Sequence, residues 1–166
     1  MNEAQRLVDL IPRLRRYARA LAGDRASADD LVQDTLERAW AKLHLYRRGT
    51  DLRAWLFTVM HNVHVNKVRA ARSTDPLDDE MPELAQRAAQ SDALVVRDLD
   101  RAIARLPAEQ RAVLLLVTLE EMSYEQVART LGIPVGTVMS RLSRAREKLR
   151  SMMTGQAAAA KLKVVK

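Results

Sequence analysis

The chain has 166 residues, carries 28 Lys and Arg against 21 Asp and Glu for a formal net charge of +7, and contains no cysteine. That excludes a disulfide framework and a thiolate metal site, and the basic balance suits a polyanionic partner such as nucleic acid. Aromatics make up 4% of residues and Gly and Pro number five each, so an all-helical protein is expected, large enough for one domain or two small ones.

The N-terminal stretch MNEAQRLVDLIPRLRR has no uninterrupted apolar core and does not read as a signal peptide. The longest apolar run, Ala112 to Leu119, is far too short to span a bilayer. A soluble, cytoplasmic chain without direct membrane contact is expected.

Leu7, Leu10, Ile11, Leu14, Tyr17, Ala18 and Leu21 trace one helical stripe, which Gly23 ends. A second helix follows, with Ser27 as its predicted cap and Asp29 and Asp30 in its first turn. Leu31, Val32, Leu36, Ala39, Trp40 and Leu43 form its apolar stripe, and Asp30, Gln33, Asp34, Glu37 and Arg38 its polar face. Acid concentrated on a basic chain is either an ordinary solvated face or a docking surface for a basic partner.

His44 to Thr50 reads as a loop, and Asp51 caps a third helix reaching about Arg72. Leu52, Trp55, Leu56, Val59, Met60 and Val63 supply its apolar side. Arg53, His61, Asn62, His64, Asn66, Lys67, Arg69 and Arg72 supply the rest. Amide and basic residues on one helix suit contact with unstacked bases and phosphates, or simply solvent. His61 and His64 stand three apart, but no carboxylate or thiolate is placed to complete a metal site.

Residues 73–91 form an acidic linker, with Asp75, Asp78, Asp79, Glu80 and Glu83 against Arg87, broken by Pro76 and Pro82. The second half opens with a helix bearing Leu94, Val95, Leu99, Ile103 and Leu106. Pro107 starts the next, whose AVLLLV segment centres a small bundle.

Ser123 to Arg150 then reads as a helix-turn-helix. Ser123 and Gln126 have capping-box spacing, and Gly132 supplies the left-handed residue between the helices. The second helix, from about Val135, turns Val138, Leu142, Ala145 and Leu149 inward. Its outer face offers small hydroxyls near the N-terminus and a run of arginines, as a helix lying in a major groove needs. A helical hairpin with a solvated basic face is the alternative. The tail, residues 153–166, is expected to be disordered.

No Gly-rich phosphate loop, nucleophile elbow or paired His with a Glu base occurs. Carboxylates are expected only on surface stripes and in the linker. No catalytic residue, cofactor or metal is expected, and the chain does not read as an enzyme.

With these segments in view, the chain resembles the extracytoplasmic-function (ECF) sigma factors of the sigma-70 family. The resemblance rests on DLVQDTLERAWAKL with DLRAWLFTVMHNVHVNKVR in the first half and LPAEQRAVLLLVTLEEMSYEQVARTLGIPVGTVMSRLSRAREKLR in the second. It implies two small helical domains: sigma region 2 over 1–72 and region 4 over 92–152, joined by the acidic linker. It further implies a protein that binds core RNA polymerase, directs it to promoter DNA and helps open the duplex. Asp30, Gln33, Asp34, Glu37 and Trp40 would then meet the polymerase. Asn62, His64, Asn66 and Lys67 would read the minus-10 element, with Arg53, Arg69 and Arg72 on phosphates. Thr137, Met139, Ser140, Arg141, Ser143 and Arg144 would meet the minus-35 element. Met139 and Ser143 depart from the family's basic and aromatic residues there. The linker resembles one that threads polymerase channels. The family also implies an anti-sigma factor as inhibitor. A stand-alone helix-turn-helix regulator and an adaptor using the acidic face are the competing readings.

Overall fold

The computed structural model describes residues 2–74 and 91–164. The linker expected over 73–91 lies outside them apart from its ends. The described residues form seven α-helices: α1 Glu3–Ala22, α2 Arg25–Ala41, α3 Leu52–Thr74, α4 Ser91–Arg105, α5 Ala108–Thr118, α6 Tyr124–Leu131 and α7 Val135–Val164.

Local signals place most helix ends. The Asn2 side chain accepts from the Ala4 amide at 2.9 Å to open α1, and Gly23 closes it at φ 82°. The cap of α2 is Asp24, not Ser27: its carboxylate accepts from the Ser27 amide at 2.8 Å. That bond holds the Asp24 carboxyl below its ordinary value. Asp29 and Asp30 therefore fall beyond the first turn, and Asp29 pairs with Arg25 at 3.9 Å. Asp51 caps α3 through the Ala54 amide at 3.2 Å. Pro107 stands one position before α5, as its N-cap.

In the first half, α1, α2 and α3 bury Leu14, Leu31, Leu56, Phe57 and Met60 between them. Tyr17 meets Phe57 edge-on at 5.1 Å. Burial, and then the negative charge of Glu120, push the Tyr17 phenol far above its ordinary value. Thr35 is buried but donates to the Leu31 carbonyl at 2.7 Å. A single 3-10 turn, Leu43–Leu45, follows α2 where a loop was expected. Two apolar positions are not inward. Trp40 is 63% exposed, because the buried face of α2 is narrow and centred on Ala28, Leu31, Val32, Thr35 and Ala39. Leu99 is 41% exposed, because α4 turns Ala102 to the core instead, with Leu106 buried just beyond its end.

In the second half, α5 buries Ala112 to Leu116. The Ser123–Gln126 capping box is complete, with bonds of 3.1 and 2.9 Å, and Gly132 adopts φ 67° between α6 and α7. Helix α7 runs to Val164, through the tail expected to be disordered. The four alanines at 157–160 have high helix propensity.

The two halves are packed on one continuous apolar core. Polar groups fasten the join. Glu120 is fully buried, contrary to the expectation that carboxylates stay on the surface. It lies 3.4 Å from Arg16 and 3.8 Å from Arg13, both on α1. Arg16 also donates to the Leu119 carbonyl at 3.0 Å, and Arg53 to the Glu120 carbonyl at 2.6 Å. Gln126 donates to Asp51 at 3.1 Å.

Arg111 is the densest tie. Its guanidinium donates to the carbonyls of Ile103, Ala104 and Leu106 at 3.1, 2.7 and 2.9 Å, and to that of Leu21 at 2.9 Å. These are carbonyls at the C-terminal ends of α4 and, in the other half, of α1, where helices run short of backbone donors. Charge-assisted bonds to such acceptors are worth more than neutral ones. Replacing Arg111 with Met should cost about 2–4 kcal/mol in urea unfolding. A loss below about 0.5 kcal/mol would show the carbonyls are as well served by water.

Candidate polymerase and nucleic-acid interfaces

Helix α2 buries one face on α1 and α3, which leaves the opposite face to solvent. Asp30, Gln33, Glu37 and Trp40 are exposed there and Asp34 is half-exposed. Spacings of three and four align them on one stripe. All five candidates of this surface are thus together. Trp40 adds a large apolar surface, and Leu45 of the following turn is likewise exposed, at 65%. An acidic stripe ending in an exposed indole suits a partner that is basic and partly apolar.

The seven minus-10 candidates on α3 do not form one surface. Asn62, Asn66 and Arg69 are exposed on one stripe, with Arg72 one turn on, also exposed. Arg53 and His64 lie eleven residues apart, so three turns bring them back to one face. That face looks toward the second half: Arg53 donates to Glu120, and Arg111 acts on His64. Lys67 turns to α2 instead and pairs with both Asp30 and Asp34, the second at 2.5 Å. The Asp30 and then the Asp34 carboxylate hold the Lys67 ammonium above its ordinary value.

On α7, Met139, Ser140, Ser143 and Arg144 are exposed, and Thr137 and Arg141 partly so. Ser140 donates to the Thr137 carbonyl at 3.1 Å, and Arg141 lies 3.9 Å from Glu109 of α5. The inward residues are Val138, Leu142 and Ala145, as the spacing predicts. The first turns of α7 therefore present hydroxyls, a thioether and guanidinium groups on one outward surface.

Sequence reasoning missed the groups at the join. Glu120 and Glu121 are adjacent, yet one is buried and the other exposed at φ 51°. Arg13, Arg16 and Arg111 read like any helix-surface arginine. A groove of about 800 Å³ also lies along the join, lined by Arg15, Arg16 and Arg19 of α1 and by Leu99, Ile103 and Leu119.

Comparison with known proteins gives both halves a family. Residues 7–61 match the family described as the Sigma2 domain of PhyR, and residues 97–149 match Sigma-70, region 4. The ECF RNA polymerase sigma factor EcfG of Rhodopseudomonas palustris is 37% identical over 145 residues, covering 86% of this chain and 80% of that protein. The chain belongs to the ECF sigma factors. SigL of Mycobacterium tuberculosis, also an ECF sigma factor, is 40% identical over 145 residues, covering 81% of this chain and 79% of SigL. The sigma factor RpoE of Bartonella quintana, solved in complex with the anti-sigma factor NepR, superposes with a TM-score of 0.81 at 35% identity. That match covers 91% of this chain and 96% of RpoE. The helix-turn-helix of this sigma factor thus falls within the segment that matches region 4, and no described helix is long and apolar enough to cross a membrane.

Burial pushes both His61 and His64 below the ordinary imidazole value of 6.5, with neighbouring positive charge adding to the effect at His64. The unfolded chain therefore takes up these protons first as pH falls through 6.5, which favours unfolding. Stability should fall between pH 7 and the lower folded values, and His61→Gln with His64→Gln should flatten that slope. Urea melts at pH 7.5, 6.5 and 5.5 measure it; an unchanged slope would place both imidazoles in water.

Proposed function

We propose that this sigma factor meets core RNA polymerase through the exposed stripe of α2 and reads promoter DNA through two separate surfaces. The minus-10 element meets the Asn62, Asn66, Arg69 and Arg72 side of α3. The minus-35 element meets the first turns of α7. The observation that carries the reading is the segregation of charge. Acid and an indole crowd one outward face of α2, while amides and guanidinium groups crowd the outward faces of α3 and α7. Region 2 would then span 1–72 and region 4 92–152. The chain acts in the cytoplasm without catalysing a reaction of its own. An extruded base costs a few kcal/mol of lost stacking, which contacts from Asn62 and Asn66 can offset.

An anti-sigma factor of the class bound to RpoE would regulate it. The arginine-rimmed groove supports this, because both halves line it and a protein seated there would clasp them together.

Purified core polymerase with and without this protein, in run-off transcription from a genomic promoter pool, tests the reading. Specific transcripts should appear only when the protein is added. Arg144→Ala should weaken minus-35 binding by about 1–3 kcal/mol, the worth of a good base contact. Asn62→Ala should spare closed-complex binding and reduce opening. Equal loss of both activities in both variants would remove the division of labour.

The packed halves add a condition. Elements named for positions 10 and 35 stand about 85 Å apart at 3.4 Å per base pair. Helix α6, which carries Gln126, touches the start of α3 at Asp51. Both elements can be engaged only if the halves part. Because the chain has no cysteine, Asp51→Cys with Gln126→Cys can be joined by a short reducible linker. The joined protein should lose transcription and recover it on reduction; full activity while joined would show that the halves need not separate.

A further inference from the structure

The surfaces assigned to polymerase and to DNA meet at one side chain. The family resemblance puts Lys67, on α3, among the nucleic-acid contacts. Its ammonium instead bridges Asp30 and Asp34, two carboxylates of the α2 stripe. Asp30 is 65% and Asp34 41% exposed, so both remain accessible to a docking protein. Two carboxylates and one ammonium leave this cluster with a net charge of −1, which repels a phosphate.

We propose that Lys67 is a shared contact that links the two bindings. While α2 is bare, Asp30 and Asp34 hold the ammonium and screen it from DNA. Cationic side chains docking on α2 take over those carboxylates and release Lys67 to a phosphate of the promoter strand. The inference rests on the assignment of α2 to polymerase and α3 to DNA. Linkage is reciprocal, so DNA on α3 must also tighten polymerase on α2 by the same factor. Each exposed ion pair contributes little, so the coupling is about threefold to tenfold rather than a full on-off gate.

A charge cycle in the full-length protein tests it. The readout is binding of a single-stranded promoter oligonucleotide, followed by fluorescence anisotropy at low salt. Asp30→Asn with Asp34→Asn should tighten binding by about threefold to tenfold. Adding Lys67→Ala should reduce that gain below about twofold. In holoenzyme, Lys67→Ala alone should weaken binding of the same strand, while in the free chain it should change little. A gain that persists without Lys67 would mean general relief of negative charge and would overturn the proposal, as would no gain or no measurable binding by any variant. A Lys67→Ala chain that only melts earlier would leave Lys67 as a structural tie between α2 and α3. Pull-down of core polymerase by the Asp30→Asn, Asp34→Asn chain reports separately on the docking surface. Undiminished capture there would defeat the assignment of α2, whatever the cycle gives.

Discussion

One guanidinium fixes where the second half of this protein sits on the first. Arg111 fills the carbonyl-lined space where α1 and α4 end, and α5 carries it there from the middle of the core. Helix ends are where a protein has spare acceptors, and a planar group with five donors can serve several at once. The placement of α5 then decides that Glu120, at its exit, meets Arg13 and Arg16 of α1. From there the turn into α6 brings Gln126 to Asp51 at the mouth of α3.

This join has an unusual balance for an internal interface. It has a continuous apolar floor, yet its fastenings are charges and backbone carbonyls. A charged group that leaves such an interface is rehydrated, whereas a large apolar side chain gains nothing from water. An interface of this kind can part without stranding its polar groups, as the proposed engagement of two distant DNA elements requires.

Much of the fold was legible because its signals are local. The Ser123–Gln126 box, Gly23, Gly132 and the apolar spacing of α7 act within a turn or two of themselves, and each lies where the sequence places it. The cap of α2 differs from the expected Ser27 because Asp24 is an equally good cap three residues earlier, and the helix starts there. The candidate sites were legible to the extent that they follow one helix: the α2 stripe is intact, and so is the outer face of α7. The α3 group was not, because a helix touching two neighbours deals its residues among them. Arg53 and His64 turn to the second half, Lys67 turns to α2, and only Asn62, Asn66, Arg69 and Arg72 stay outside. Nothing within a few residues of Glu120 distinguishes it from Glu121; its burial depends on arginines more than a hundred positions away.

The cross-half bonds of Arg16, Arg53 and Arg111 share one trait: each reaches a main-chain oxygen, at Leu119, Glu120 or Leu21. Every amino acid supplies that oxygen, so for these bonds Leu119 and Leu21 can drift while the arginines cannot. Constraint is therefore one-sided. For these three bonds relatives need keep only the donors, and paired substitutions across the join are left to the side-chain pairs, Glu120 with Arg13 and Arg16 and Gln126 with Asp51. Alanine scanning at Leu119 and Leu21 will likewise pass over these bonds, whereas at Glu120 it removes the carboxylate that Arg13 and Arg16 hold.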